Sequence, residues 1–182
     1  RIHYAEQGQG TVIVALHGIV DSLHTWEPWL DHMGPTFRII RMDIPGFGLT
    51  GPRNDGNYSK DMFVQFLDQF LRRLDIDRCI LVGNSLGGAI AWNYALAHPE
   101  KVSRLVLIDP AGYPMKIPFP LTLTQIPVIR QVARFVTPRW IFSMSLKQVF
   151  GDPEMVTELL IDRFYELSLR PGNRDALLAI MA

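Results

Sequence analysis

The chain has 182 residues, with 18 basic and 18 acidic side chains and 48% hydrophobic content, which suits one ordinary soluble domain with enough chain to bury a core. The balanced charge gives no electrostatic footprint for nucleic acid, the single cysteine excludes an intramolecular disulfide and a multi-cysteine metal site, and no apolar run approaches the roughly 20 residues that span a bilayer. Arg1 opens the chain inside what reads as a strand, which leaves room for a targeting segment before it; a cytoplasmic location is favoured. Asn57-Tyr58-Ser59 matches a glycosylation sequon, which has meaning only in a secretory pathway.

Ile2-His3-Tyr4-Ala5 reads as a short strand closed by the Gly8-Gln9-Gly10 turn. Residues 11–16 are a continuous apolar run, a fully buried strand, and it ends in His17-Gly18. Gly18 lets the chain turn, so the backbone N–H of Ile19 can serve as one half of an oxyanion hole. The His17 imidazole is read as a pin that holds this loop by hydrogen bonds, not as a catalytic group. Residues 22–33 have Trp26, Trp29 and Leu30 at helical spacing, with Pro28 limiting regularity. Residues 37–42 form the next strand, followed by the turns of Asp43-Ile44-Pro45-Gly46-Phe47-Gly48. Asp43 is read as ordering that loop. Ser59 caps an amphipathic helix carrying Phe63, Phe66, Leu67, Phe70, Leu71 and Leu74.

The apolar run Cys79-Ile80-Leu81-Val82 leads into Gly83-Asn84-Ser85-Leu86-Gly87 and then a helix ending near Ala97-His98-Pro99. This is the G-x-S-x-G pattern in a strand–turn–helix context, which exposes the serine hydroxyl above a sheet. Gly83 and Gly87 let neighbouring backbone come close, Gly88 and Ala89 keep the first helical turn slim, and a positive φ is expected at Ser85. The Leu86 N–H is the second oxyanion donor. Cys79 is a small core residue. Residues 103–108 form another buried strand. Strands alternating with helices predict an α/β fold with a mostly parallel sheet and flanking helices.

From Tyr113 the texture changes. Pro114, Pro118, Pro120, Pro127 and Pro138 punctuate the chain, and apolar groups recur at helical spacing: Ile141, Met144, Ser145 and Gln148 in one series, Val156, Leu159, Leu160, Phe164 and Leu167 in another. Residues 113–182 are read as a helical lid over a core of residues 1–112. Phe119, Phe135, Trp140, Phe142, Phe150 and Phe164 are available either to line an apolar substrate pocket or to form ordinary lid core.

Leu16-His17-Gly18, the Asp43–Gly48 segment, Gly83-Asn84-Ser85-Leu86-Gly87-Gly88 and Leu105-Val106-Leu107-Ile108-Asp109-Pro110-Ala111-Gly112 occur in that order. Together they resemble the α/β-hydrolase superfamily, in its cofactor-free, lid-bearing branch of esterases, carbon–carbon bond hydrolases, haloperoxidase-like enzymes and dehalogenases. The resemblance implies Ser85 as nucleophile, Ile19 and Leu86 as oxyanion donors, His17, Gly18 and Asn84 in support, no metal, no cofactor, and a small, apolar substrate. Serine at the elbow speaks against dehalogenase or epoxide hydrolase chemistry, because those relatives place aspartate there. Asn84 beside the serine also occurs in relatives that cleave ring-fission diketones. Their Gly-rich loop after His-Gly is replaced here by Ile19-Val20-Asp21-Ser22.

A serine hydrolase needs a general base and a group to orient it, and the family order is Ser, acid, His. The only histidine after Ser85 is His98, at the far end of the elbow's helix, roughly 20 Å away at 1.5 Å per residue. Asp109 follows the next strand, where some relatives carry the catalytic acid; the favoured reading is a cap on the turn through Pro110-Ala111-Gly112. The chain is accordingly expected to be a fragment of a longer hydrolase, inactive on esters and poorly soluble when made alone, with residues 104–108 as an open sheet edge. The leading function is ester hydrolysis, with carbon–carbon bond hydrolysis or perhydrolysis as the alternative and a non-catalytic ligand receptor as the second class.

Overall fold

In the computed structural model of the protein, residues 1–33, 36–114 and 119–181 are described. Pro118 and Ala182, which enter the sequence reading, lie outside them. Five strands, β1 (Tyr4–Gln7), β2 (Thr11–Leu16), β3 (Phe37–Met42), β4 (Cys79–Asn84) and β5 (Val102–Ile108), form one sheet in the order β1-β3-β2-β4-β5. β1 runs antiparallel to β3, with Tyr4 opposite Met42; the other three pairings are parallel.

The central strands carry no polar alternation because both their faces are covered. On one face, Val14, Leu16, Ile40, Met42 and Leu81 pack with Leu67, Phe70 and Leu71 of α2 (Lys60–Arg73) and Tyr94 of α3 (Leu86–Ala97). On the other, Ile13, Ala15, Ile39, Ile80 and Val82 surround Trp26. The period of two along a strand splits neighbours such as Ile13 and Val14 between these cores.

Local signals set the helix ends. The Ser59 hydroxyl accepts from the Met62 N–H at the start of α2. At its end Asp75 takes φ 53°, while the Ile76 N–H donates to the Leu71 carbonyl at 3.0 Å and the Asp75 N–H to that of Arg72 at 3.3 Å. That is a Schellman closure with aspartate, a residue tolerant of the left-handed region, in the usual glycine place. Residues 22–33 divide into a 3₁₀ turn (Leu23–Trp26) and a short α1 (Glu27–Met33), with Pro28 in the first turn, where its missing N–H costs no bond.

After β5 come α4 (Phe119–Thr122), α5 (Pro127–Ala133), α6 (Arg139–Val149), α7 (Glu158–Ser168) and α8 (Asn173–Ile180). They build a small core of Phe142, Leu146, Val156 and Ile161. Val156, Leu160 and Phe164 of the second predicted series join this core, but the buried faces otherwise differ from those the spacing predicts. α6 turns Phe142 and Leu146 inward while Gln148 is exposed, and in α7 Ile161 is buried whereas Leu159 is 70% exposed. Both helices carry apolar residues around most of their circumference, so spacing alone does not choose the face; the pair four residues apart that includes the large Phe142 ring does. Of the seven aromatics after residue 113, Phe119, Phe135 and Trp140 are exposed, and Phe150, Phe164 and Tyr165 pack around the Phe142 core.

Several contacts fasten this helical layer to the sheet unit. Leu177 and Ile180 of α8 pack on the main core. The buried Asn173 amide donates to the Gly48 carbonyl at 3.1 Å and the Leu167 carbonyl at 2.9 Å. The Glu27 carboxylate faces Arg163 of α7 at 3.6 Å and Arg41 of β3 at 3.5 Å. β5 pairs only with β4 among the described residues, and its Leu105, Val106 and Leu107 are each more than a third exposed.

Candidate active site

Ser85 stands between β4 and α3, at the carboxyl end of a parallel strand, with φ 49° and ψ −115°. An L-residue adopts this conformation only when its surroundings over-determine it, and they do. The Ser85 N–H donates to the Ile108 carbonyl at 3.0 Å, and its carbonyl accepts from Ala89 at 3.0 Å and Ala111 at 2.9 Å. The Asn84 amide also donates to the Ile108 carbonyl, at 3.3 Å. The Ser85 side chain makes no capping bond to α3, which leaves the hydroxyl, on a half-buried residue, free for other chemistry.

The glycines show why the turn needs them. A Cβ on Gly83 would lie 2.3 Å from the Gly87 carbonyl oxygen, and one on Gly87 would lie 2.2 Å from that of Leu16 and 2.5 Å from that of His17. The first turn of α3 therefore rests directly on the end of β2. A Cβ on Gly18 would meet Asn84 Oδ1 at 2.9 Å and Ser85 Cβ at 3.4 Å. The loop after β2 thus lies beside the serine, on the same edge of the sheet. Ile19 and Leu86, the two residues expected to supply donors, both pack on the main core.

His17 is fully buried. Its Nε2 accepts from the Ile44 N–H at 3.0 Å, so Nδ1 carries the proton and donates to the Gly18 carbonyl at 2.7 Å. Both nitrogens are committed to backbone, of the Gly18 loop beside Ser85 and of the loop after β3. Asp43, also buried, accepts from the Leu23 N–H at 2.7 Å and the Leu49 N–H at 2.7 Å, and its Oδ2 lies 2.8 Å from His3 Nδ1. It ties three segments together beneath the site. Asp109, at φ 42°, is exposed at the end of β5.

Among the described residues no histidine is bonded to Ser85. His3 faces Asp43, His24 faces Glu27 at 2.6 Å, and His98 caps α3 beside Tyr94 and Glu100. No group of histidine, cysteine and acidic residues suited to a metal occurs among them, and none of their helices is long and apolar enough to cross a membrane.

Three residues of the region escape sequence reading. Val20 has φ 62°, which a valine in a loop does not announce. Asp21 is pushed above the usual carboxylate range by burial, against the opposing pull of the His17 ring and of the Ser22 N–H that bonds its Oδ1. Its place next to a His-Gly strand end was the available signal. Asn173 lies 125 positions along the chain from Gly48, and no local pattern marks that pairing.

A serine on a strained strand-to-helix turn, at the carboxyl edge of a mostly parallel sheet, defines an α/β protein with its candidate site at a nucleophile elbow. The profile of the α/β-hydrolase fold family matches residues 11–141, and the chain belongs to that family. It is 31% identical over 184 residues to a 2-hydroxymuconate semialdehyde hydrolase of Pseudomonas sp. (strain CF600), covering 99% of this chain and 62% of that protein. It is 27% identical to epoxide hydrolase 3 of Xenopus tropicalis, over 87% of this chain and 41% of that one. A solved meta-cleavage product hydrolase from Pseudomonas fluorescens IP01 superposes with a TM-score of 0.83 at 27% identity, covering 98% of this chain and 64% of that one. The chain thus spans about three fifths of the length of the curated hydrolases it matches over nearly all its length.

Proposed function

We propose that the protein is a serine-type hydrolase acting on a carbon–carbon bond next to a carbonyl, in a dienoate of the kind its relatives' names describe. The observation that carries this reading is Asn84-Ser85 at the strained turn of a chain 31% identical to a 2-hydroxymuconate semialdehyde hydrolase. It displaces simple ester hydrolysis from first place. The similarity to epoxide hydrolases extends to the fold, but their chemistry is disfavoured by serine in the position where the family's epoxide-opening branch carries aspartate.

The Ser85 hydroxyl lies where it can add to, or orient water toward, the reacting carbonyl. The Ile19 and Leu86 N–H groups hold the oxyanion that forms, an arrangement in which one donor is worth about 2.7–4 kcal/mol of transition-state stabilisation. The bond to the neighbouring carbon then breaks, and its electron pair spreads into the conjugated acid before a proton quenches it. Water supplies the hydroxyl of the new carboxylic acid and the hydrogen of the other product. His17 stays out of proton transfer, since its two nitrogens are already engaged; it and Asp43 shape the loops. The helices after β5 act as a lid, and Phe142 and Val20 line the small cavity between the layers. His3, His17, His24 and His98 are each engaged with other groups, so none of these four serves Ser85 as a base.

The test is the protein made from its complete gene, with 2-hydroxymuconate semialdehyde as substrate and loss of the dienolate absorbance as readout. Turnover that disappears in Ser85→Ala supports the reading. Rapid hydrolysis of p-nitrophenyl acetate with no turnover of the dienoate would return it to ester chemistry.

A further inference from the structure

Among the described residues, four non-glycine residues have positive φ: Val20, Asp75, Ser85 and Asp109. Asp75 closes a helix, and Ser85 is the elbow. Val20 is the only β-branched member, and for such a residue the left-handed region is an outlier that needs an outside cause. Its surroundings supply one. Among the residues packed against the buried clusters, Val20 alone touches both the main core of the sheet unit and the Phe142 core of the helical layer. It lines the small cavity between the layers together with Phe47, Phe142, Leu167 and Leu177. It is also two residues from Gly18, whose Cα faces the Ser85 and Asn84 side chains.

We infer that Val20 is a positioning residue for the oxyanion donor at Ile19, an inference that rests on the serine-hydrolase reading above. The helical layer grips the isopropyl group, the grip keeps residue 20 left-handed, and the left-handed turn sets the orientation of the peptide groups preceding it. Without the side chain, an L-residue relaxes to negative φ and carries the Ile19 N–H away from Ser85. The donor matters only when charge develops on the carbonyl oxygen, so its displacement lowers kcat and leaves KM nearly unchanged.

The variants Val20→Ala and Val20→Gly separate positioning from packing. Both lose the side-chain contact, but glycine takes a left-handed backbone without penalty and alanine does not. In the protein made from its complete gene, with the dienoate substrate, Val20→Ala is expected to lower kcat by roughly 10–100-fold with KM within about twofold, less than complete loss of a donor. Val20→Gly is expected to lose several-fold less. A residue that only fills space would give the opposite order, with alanine better than glycine. That order, or a Val20→Ala enzyme with parental kcat, overturns the inference.

Crystal structures of the two variants give a readout independent of turnover. Residue 20 at negative φ in the alanine variant and at positive φ in the glycine variant is expected; an alanine that keeps the left-handed turn overturns the proposal. Ser85→Ala distinguishes the two levels of argument. If it is as active as the parent, the serine-hydrolase reading itself fails. If it is inactive while Val20→Ala is unaffected, only the role of Val20 fails.

Discussion

Gly87→Ala tests how tightly the elbow is seated on β2. The added methyl would sit 2.2 Å from the Leu16 carbonyl oxygen, 2.5 Å from the Leu16 carbonyl carbon and 2.5 Å from the His17 carbonyl oxygen. All three are main-chain atoms of a central strand end and cannot rotate away. Restoring ordinary contact requires α3 and the strand end to part by about 1 Å. Overpacking of this kind costs roughly 1–3 kcal/mol, and rigid backbone on the far side places it near the upper end. Replacing glycine by alanine inside a helix returns at most about 1 kcal/mol. The net loss of about 2 kcal/mol corresponds to a drop in Tm of roughly 4–8 °C for a chain of this size, read by calorimetry or circular dichroism. The same displacement moves the Ser85 hydroxyl and the Leu86 N–H relative to the Gly18–Ile19 loop, and a 1 Å error in placement costs about 10²-fold in rate. Gly151→Ala is the control, because nothing lies within 4 Å of the added methyl there. A Gly87→Ala protein that melts within about 1 °C of the parent would refute the seating argument.

Other outcomes follow from the same geometry. Asp43→Asn keeps the size of a side chain that accepts from both Leu23 and Leu49 N–H groups but turns an amide donor toward one of them; a loss of about 1–3 kcal/mol is expected in urea unfolding, and an unchanged midpoint would argue that Asp43 does not order the loops. Burial pushes the Cys79 thiol from 9.0 to about 11, and burial, then the charge of Asp68, pushes the Tyr94 phenol upward. The unfolded chain therefore releases these protons first, so stability falls as pH rises above about 9, by up to about 1.4 kcal/mol per pH unit for each group. Urea midpoints that stay flat from pH 8 to about 10.5 contradict this, and Cys79→Ala should remove the earlier part of the slope. Asn173→Ala leaves the Gly48 and Leu167 carbonyls without their amide donor; limited proteolysis should then cut the α7–α8 turn several-fold faster, while equal digestion rates would show that the clamp is idle.

The elbow was legible because each of its requirements is local. Glycines at 83 and 87, an apolar strand before and a helix after leave few alternatives for Ser85. His17 and Asp43 were legible as loop-ordering groups from their places at strand ends. The mostly parallel sheet also followed from strand–helix alternation, whereas the order of its strands did not. The buried faces of α6 and α7 were only partly legible, because those helices are apolar on more than one side and spacing alone does not single out Phe142, Leu146 and Ile161, which pack with one another. Val20 and Asn173 were hidden for a related reason. Each acts through a partner far along the chain, and a local window carries no trace of it. Pro28 was read as a limit on helix regularity, and the observed split into a 3₁₀ turn and a short α1 is the form that limit takes.

The backbone of Ser85 is bonded at both ends to the region where β5 ends, through Ile108 and Ala111, and β5 is the outer strand of the described sheet. Outer strands with partly exposed side chains open more readily than central ones. The serine therefore inherits the local stability of β5 instead of that of the central strands, even though β4 carries it. When β5 loosens, the strained φ of Ser85 loses its restraints and relaxes before the core notices. Hydrogen exchange of these 182 residues should then show the Ser85 and Ala111 amides opening faster than the amides of β2 and β4.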